Sequence, residues 1–233
     1  MQIDDVKALV TGGSSGIGLA VAQLLVERGA KVVISARHEL RLRQAAQTIG
    51  ALAVPGDASV EADARRTVRE VIDAFGDYNV LVNNAGIGTF APLVETTEAD
   101  MRRVWEVNVL GATLVARESA RHFVARGYGT IINIGSTSGL RAGPGGSAYA
   151  STKFALRALT ESWRAELRTH SVRVMLLNPS EVVTEFAARA GQGQEDNPSK
   201  LRPSEIAHAV AAMLTMDDRG FIPELSVWAT NPK

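Results

Sequence analysis

The stretch "VKALVTGGSSGIGLAVAQLLVERGA" (residues 6–30) places a short apolar run directly before a glycine-rich turn and a long helical pattern. Small residues at 12, 16 and 18 let the backbone pass close to a ligand, and the helix start offers free N–H groups and a positive dipole end. The stretch therefore predicts a strand, a tight turn and a helix that bind a pyrophosphate. A tight turn without a ligand has the same pattern, and the spacing Gly-x-x-x-Gly-x-Gly differs from the common dinucleotide fingerprint.

Strand-like runs alternate with helical patterns along the rest of the chain. Further strands are predicted at 31–35, 51–55, 79–83, 129–135, 172–179 and 221–228, with helical patterns between them, notably at about 97–126, 148–169 and 203–215. Strands separated by helices require crossovers and predict a parallel sheet covered on both faces. Near-continuous apolar strands agree with burial on both sides. We expect an α/β fold, a single domain over residues 1–233 built on a doubly wound, Rossmann-like parallel sheet of about seven strands.

Composition narrows the class of function. The chain has 233 residues, 45% of them hydrophobic and 21% charged, with a formal net charge of zero. No basic run indicates a nucleic-acid partner or a membrane surface. The chain lacks cysteine, and its four histidines have no ligand spacing, so no metal site is predicted. No apolar run approaches a membrane span, and the start lacks a signal-peptide layout, so a cytoplasmic protein is expected.

The segment "YASTK" (149–153) places a tyrosine and a lysine four residues apart, on one face of a helix. A free phenol ionises near about pH 10 and is a poor base at neutral pH. An ammonium group one turn away would favour the phenolate and lower the pKa of the phenol. The pair is then suited to proton transfer, although an ordinary amphipathic pair has the same spacing.

These two segments belong to a series of motifs that resembles the short-chain dehydrogenase/reductase family. The series is "TGGSSGIG" (11–18), "GDAS" (56–59), "NNAG" (83–86), "EVNVLG" (106–111), "NIGSTSG" (133–139), "YASTK" (149–153) and "NPSEVVTEF" (178–186). The resemblance runs from residue 7 to about 186 and extends to 3-oxoacyl-carrier-protein reductases and carbonyl reductases. It implies hydride transfer between a nicotinamide cofactor and a small-molecule carbonyl or alcohol substrate.

The resemblance also implies a role for each matching residue. Tyr149 would exchange a proton with the substrate oxygen, its phenolate favoured by Lys153 and by the positive charge of oxidised nicotinamide. Ser136 would donate a hydrogen bond to the developing oxyanion. Lys153 would hold the ribose hydroxyls, and Asn108 would hold water in a proton relay to Lys153. A satisfied core asparagine is the alternative for Asn108. The implied cofactor contacts are Gly12, Ser14, Ser15, Gly16, Ile17, Gly18, Arg37, Asp57, Ala58, Asn84, Ala85, Gly86, Tyr149, Lys153, Pro179, Val182 and Thr184.

The choice between the two nicotinamide cofactors is expected to depend on "ISARHE" (34–39) at the end of the second strand. Ala36 stands where an acidic residue would accept hydrogen bonds from the ribose 2′-hydroxyl and repel a 2′-phosphate. Arg37 can instead pair with a phosphate through two parallel bonds, and Ser14 could add a donor. NADP(H) is therefore favoured over NAD(H). A solvated Arg37, or one neutralised by Glu39, is the alternative.

The substrate side is less defined by the sequence. Leu140, Pro144 and Phe186 predict an apolar wall, while Arg141 is expected to face water. The polar segment at about 185–202, rich in Gly and Gln, predicts a mobile substrate loop. Ser180 stands where the family usually has glycine, and the chain end differs from the Gly-rich last strand of 3-oxoacyl-carrier-protein reductases.

The sequence leaves two alternatives to the NADP(H)-dependent oxidoreductase, and it predicts a homo-oligomer. An NAD-dependent alcohol or sugar dehydrogenase of the same fold is one alternative, and a non-catalytic NADP-sensing regulator is the other. The sensor predicts loss of Ser136, Tyr149 or Lys153, and all three are present. The helix after Tyr149 has more apolar surface than one core-facing stripe needs. The resemblance implies that this helix and the 97–126 helix pair across a two-fold axis, giving a homodimer or homotetramer.

Overall fold

Seven parallel strands form one sheet in the part of the chain that a computed structural model describes, residues 1–190, 197 and 199–231. The strands are β1 (Lys7–Thr11), β2 (Lys31–Ala36), β3 (Leu52–Pro55), β4 (Val80–Asn83), β5 (Gly129–Ile134), β6 (Val172–Pro179) and β7 (Glu224–Val227). Their order is β3-β2-β1-β4-β5-β6-β7. The doubly wound α/β fold expected from the sequence is confirmed.

Eight α-helices connect the strands over the same residues. They are α1 (Gly16–Glu27), α2 (Glu39–Ile49), α3 (Glu61–Phe75), α4 (Glu98–Trp105), α5 (Ala112–Arg126), α6 (Ser147–Leu167), α7 (Glu185–Arg189) and α8 (Pro203–Leu214). No helix among the described residues is long and apolar enough to cross a bilayer.

Strands β1 to β6 contribute alternate side chains to two hydrophobic layers. Val10 and Val82 point toward the layer that contains Val21 of α1 and Val210 of α8. Leu9 and Leu81, one residue away on the same strands, belong to the opposite layer, which also contains side chains of α3 and α5. Because both faces are covered, the strands are apolar at nearly every position, as the sequence pattern indicated.

The strand order reverses between β1 and β4, which lie side by side in the middle of the sheet. The connection from β1 leads through α1 to β2 on one side, and the chain later returns to extend the sheet on the other side. Such a switch point leaves a crevice at the carboxyl ends of the strands, where open α/β sheets bind ligands.

Two segments differ from the sequence expectation. The helix predicted at about 97–126 is divided by a π-helical turn, Glu106–Gly111, between α4 and α5. The expected loop at about 185–202 begins with the short helix α7, and Val182 pairs with Leu201 in an isolated bridge. Residues 191–196 and 198, in the middle of the predicted mobile loop, lie outside the described residues.

Candidate active site

A cleft of about 1270 Å³ lies at the carboxyl ends of the strands. Segments that follow β1 to β6 line it, so the fold brings together motifs that extend from residues 11–18 to residues 178–186. Of the predicted cofactor contacts, all but Gly18 line this cleft. Three of the four predicted catalytic residues, Ser136, Tyr149 and Lys153, line it as well, and Asn108 lies behind its wall.

The glycine turn is fixed by the side chain of Asn84. The Asn84 amide donates to the carbonyl oxygens of Thr11 at 2.9 Å and Gly12 at 3.3 Å. A Cβ atom added to Gly18 would lie 2.5 Å from Asn84 Nδ2 and 2.6 Å from the Gly12 oxygen. Gly18 therefore lies beneath the turn, where it allows helix and turn to pack closely, and does not face the ligand space.

The residues of the turn fit a dinucleotide. Gly12 has a φ of 65°, a conformation that favours glycine, and α1 starts at Gly16 with its N-terminus directed at the cleft. The first turn of α1 contains no acidic residue, and the Ser15 side chain makes no capping hydrogen bond. A helix N-terminus with free donors and no competing carboxylate is a suitable site for a pyrophosphate.

Basic side chains line the end of the cleft that lies beyond β2 and β3. Arg37 is half-exposed, and its Nη1 lies 3.8 Å from Asp57 Oδ2. Glu39 pairs with Arg43 at 2.7 Å and so does not neutralise Arg37. Asp57 uses its other oxygen to accept bonds from the backbone and hydroxyl of Ser59. Within the described part of the chain, the Arg37 guanidinium thus lines the cleft with only a distant carboxylate partner.

Arg41 is a second basic residue of this end that the sequence reasoning missed. Its Nε donates to the carbonyl oxygen of Ser14 at 3.4 Å, and its Nη2 lies 2.7 Å from Glu185 Oε1 on α7. Hydrogen bonding to Glu185 raises the pKa of Arg41. Arg41 follows Arg37 by four residues, so the i, i+4 spacing at the start of α2 was the available signal.

The helix α6 and the strand β5 position the predicted reacting groups. The Ser136 hydroxyl oxygen, just beyond β5, accepts a hydrogen bond from the Ser138 N–H at 3.1 Å. Lys153 Nζ donates to the Ile134 carbonyl oxygen at 2.9 Å. Tyr149 lies one turn before Lys153, with its ring centre 5.6 Å from that ammonium nitrogen.

The pKa expected for Tyr149 needs correction. Burial raises the pKa of the phenol to about 12, and interaction with the Ser136 hydroxyl only partly opposes this. Burial also lowers the pKa of Lys153 to about 8. The expectation from the sequence included the ammonium charge and the positive charge of oxidised nicotinamide but not desolvation, which disfavours both charged forms when the pair is buried.

Asn108 occupies the π-helical turn and is almost fully buried. Its Oδ1 accepts from the Ile87 N–H at 2.9 Å, and its Nδ2 donates to the Ile87 carbonyl oxygen at 2.9 Å and to Thr152 Oγ1 at 3.0 Å. The amide thereby connects the segment after β4 to α6. A Cβ added to Gly86 would lie 3.3 Å from Asn108 Oδ1 and 3.8 Å from Lys153 Nζ, so Asn108 and Lys153 approach the same glycine.

The structure places other side chains at the substrate end than the sequence indicated. Phe186 lines the cleft as expected, but Leu140 and Pro144 do not. Phe90, which the sequence reasoning missed, lines the cleft instead, and Arg103 of α4 lies at the same end.

Polar residues that fix the strand ends were also missed. The Asn83 side chain donates to Asn133 Oδ1 at 3.2 Å and to the Ala112 oxygen at 2.9 Å.

The fold is a doubly wound sheet with a glycine turn at its switch point, and Ser136, the buried Tyr149 and the buried Lys153 share its cleft, an arrangement that fits a nucleotide-dependent oxidoreductase. The family model described as short chain dehydrogenase matches residues 6–195. The chain therefore belongs to the short-chain dehydrogenase family. It is an NAD(P)-dependent dehydrogenase or reductase that acts on CH–OH or C=O groups.

Individual relatives extend over nearly the whole chain. An uncharacterized oxidoreductase of Bacillus subtilis (strain 168) is 35% identical, with 90% of this chain and 62% of the relative covered. The chain thus spans less than two thirds of that protein's length. A 3-ketoacyl-(acyl-carrier-protein) reductase from Brucella melitensis, solved with NADH, has a TM-score of 0.91 at 30% identity, over 99% of this chain and 100% of that one.

A third similar protein was solved with an NADP derivative. An alcohol dehydrogenase from the archaeon Thermococcus sibiricus, solved with 5-hydroxy-NADP, has a TM-score of 0.85 at 30% identity, with 96% of each chain covered. Neighbours of this chain therefore include proteins that bind NAD(H) and proteins that bind an NADP derivative.

Proposed function

We propose that the protein is an NADP(H)-dependent oxidoreductase that interconverts a small-molecule carbonyl and the corresponding alcohol, with Tyr149 as the acid and base. One observation carries the proposal: Tyr149, Ser136 and Lys153 line the cleft whose other end is the glycine turn. The nicotinamide supplies or accepts the hydride when it is bound. The residues of this chain then have to orient the substrate oxygen and move one proton.

The reacting groups divide this work. In the reductive direction the Tyr149 phenol donates its proton to the carbonyl oxygen, and a phenol with a pKa raised to about 12 is fully protonated for this step. The Ser136 hydroxyl donates to the same oxygen as negative charge develops. Lys153 holds the ribose hydroxyls and, as a cation, favours the phenolate that remains. Asn108 supports a proton relay to Lys153 from the turn beside Gly86.

The preference for NADP(H) rests on the basic end of the cleft. Ala36 offers no carboxylate to a ribose 2′-hydroxyl, and Arg37 and Arg41 both line the cleft there. Glu39 is engaged by Arg43. Two guanidinium groups can bind a 2′-phosphate through paired hydrogen bonds, whereas a neutral hydroxyl would leave them with little to bind.

The proposal is tested by nicotinamide absorbance with NADPH and NADH over a panel of ketones, aldehydes, quinones and 3-oxoacyl thioesters. We expect oxidation of NADPH with at least one substrate class. Tyr149→Phe should lower kcat by at least about a hundredfold and leave the Kd for NADPH nearly unchanged. Retained turnover in this variant would remove Tyr149 from its role.

We also propose self-association as a homodimer or homotetramer, with α6 and the α4–α5 segment at the interface. Three large apolar side chains are exposed there: Trp105, Leu110 and Phe154. Trp105 Nε1 donates to Ser151 Oγ at 3.3 Å, which places the two segments side by side. Sedimentation equilibrium should detect an oligomer that Phe154→Glu weakens. A monomeric wild-type protein would contradict this proposal.

A further inference from the structure

Two phenylalanine rings pack against the ring of Tyr149 at the substrate end of the cleft. The Phe90 ring centre lies 5.5 Å from that of Tyr149 at an interplanar angle of 49°, and the Phe186 ring centre lies 5.3 Å away at 56°. Phe90 follows β4 and Phe186 is part of α7, so the two rings come from separate segments of the chain. Both distances lie in the range of favourable tilted aromatic pairs.

Gly88 leaves the space that both rings use. A Cβ atom at this position would lie 2.6 Å from Phe186 Cζ and 3.0 Å from Phe90 Cε2. Contacts of that length would force both rings away from their present positions. Gly88, Phe90 and Phe186 thus form one aromatic wall over Tyr149, which we call the ring wall.

The ring wall affects which substituents on the reacting carbon of a substrate are favourable. Because both rings pack against the Tyr149 ring, we expect a carbonyl group that reaches the Tyr149 hydroxyl to have its carbon substituents near Phe90 and Phe186. These rings offer polarisable faces and edges but no conventional hydrogen-bond donor or acceptor. A polyol would lose hydrogen bonds to water there without replacement, which is costly. A flat aromatic substituent would bury its area and adopt the tilted or offset geometry that such rings prefer.

We propose that the substrates of this enzyme carry an aromatic ring directly next to the reacting carbonyl or carbinol carbon, and that Phe90 and Phe186 select for it. The inference rests on the proposed function, since it deepens the account of the same cleft. It excludes sugars and other polyols as preferred substrates. It also predicts that aromatic character is favoured over a saturated ring of similar size.

Binding of alcohols to the protein saturated with NADPH tests this without turnover, because an alcohol and the reduced cofactor cannot react. We expect 1-phenylethanol to bind about three- to tenfold more tightly than 1-cyclohexylethanol, as measured by calorimetry or ligand-observed NMR. Phe90→Leu and Phe186→Leu should each bring this ratio closer to one. Phe75→Leu is the control, because residue 75 ends α3 and its carbonyl oxygen accepts from Lys7 at the amino ends of the strands, away from the cleft.

Three results would overturn the inference: equal or reversed affinities in the wild type, no measurable binding of 1-phenylethanol, or a ratio that neither leucine variant changes. Its failure is separable from that of the proposed function. Equal affinities together with NADPH-dependent reduction of ketones would remove only the aromatic preference. Absence of reduction with every carbonyl compound tried would remove the proposed function, whatever the affinity ratio.

Discussion

The ammonium nitrogen of Lys153 lies 5.6 Å from the ring centre of Tyr149, and its hydrogen bond at 2.9 Å goes to the Ile134 carbonyl oxygen. The lysine therefore makes no hydrogen bond to the phenol. In the protein without cofactor burial dominates and raises the pKa of Tyr149 to about 12. Additional positive charge is needed before the phenolate is accessible near neutral pH.

The first prediction concerns this phenolate. All three tyrosines of the chain, Tyr78, Tyr128 and Tyr149, have a raised pKa, mainly through burial. The protein without cofactor should therefore show almost no tyrosinate absorption between about pH 8 and 9. Addition of NADP⁺ should produce up to one phenolate in wild type and none in Tyr149→Phe. A phenolate that forms equally in both proteins would contradict the assignment.

The buried ammonium predicts a pH-dependent stability. The pKa of Lys153 is lowered to about 8 in the folded protein, so between about pH 8 and 10.5 the unfolded chain binds more protons at this position. Stability should rise with pH across this window, by up to about 3 kcal/mol, and the contribution is lost as pH falls through 8. Urea denaturation of Lys153→Met should lack this slope, and the exposed Lys31→Met should keep it. A parallel pH dependence in wild type and Lys153→Met would rule the effect out.

Cofactor selectivity is predicted to depend on two arginines. Arg37→Ala should weaken NADPH binding about ten- to a hundredfold, the value of a charge-assisted pair, and leave NADH nearly unchanged. Arg41→Ala should act in the same direction. Glu185→Gln should strengthen NADPH binding, because it frees Arg41 from an ion pair of 2.7 Å. Glu39→Gln is the matched control, since Glu39 pairs with Arg43. Equal losses for NADPH and NADH would contradict the phosphate assignment.

The turn beneath the pyrophosphate site gives a fourth prediction. An alanine at position 18 would place its Cβ 2.5 Å from Asn84 Nδ2 and 2.6 Å from the Gly12 oxygen, so Gly18→Ala should displace the turn. The affinity for NADPH and for NADH should fall together, by at least about tenfold, because both cofactors share the pyrophosphate. Gly220→Ala is a control for general glycine effects, as residue 220 has no positive φ, and the nearest atom to an added Cβ, Met216 Cε, lies 4.0 Å away. Selective loss of one cofactor would show that Gly18 acts elsewhere.

The fold could be predicted because it depends on patterns of apolar residues that recur along the whole chain. Alternating short apolar runs and helical segments specified the parallel sheet, and the glycine turn marked its switch point. The π-helical turn at Asn108 could not be predicted, because the hydrogen bonds that Asn108 donates there go to Ile87 and Thr152, which are distant in the sequence. Phe90 and Arg41 were missed for a similar reason: their significance comes from the residues that the fold places beside them.

Asn108 gives the last prediction, which separates a structural role from a role in catalysis. Asn108→Ala would remove three buried hydrogen bonds and leave the N–H and carbonyl of Ile87 without this partner, which should cost about 2–4 kcal/mol of unfolding free energy. Asn133→Ala is the matched comparison, because that buried amide accepts from Asn83 and donates to Thr160, and makes neither of the contacts of Asn108 with Ile87 and Thr152. Both variants should be destabilised, but only Asn108→Ala should lower kcat by more than about tenfold, since residue 108 supports the wall beside Gly86 and Lys153. If both variants lose the same stability and retain the same kcat, Asn108 is a core asparagine and not a positioning residue.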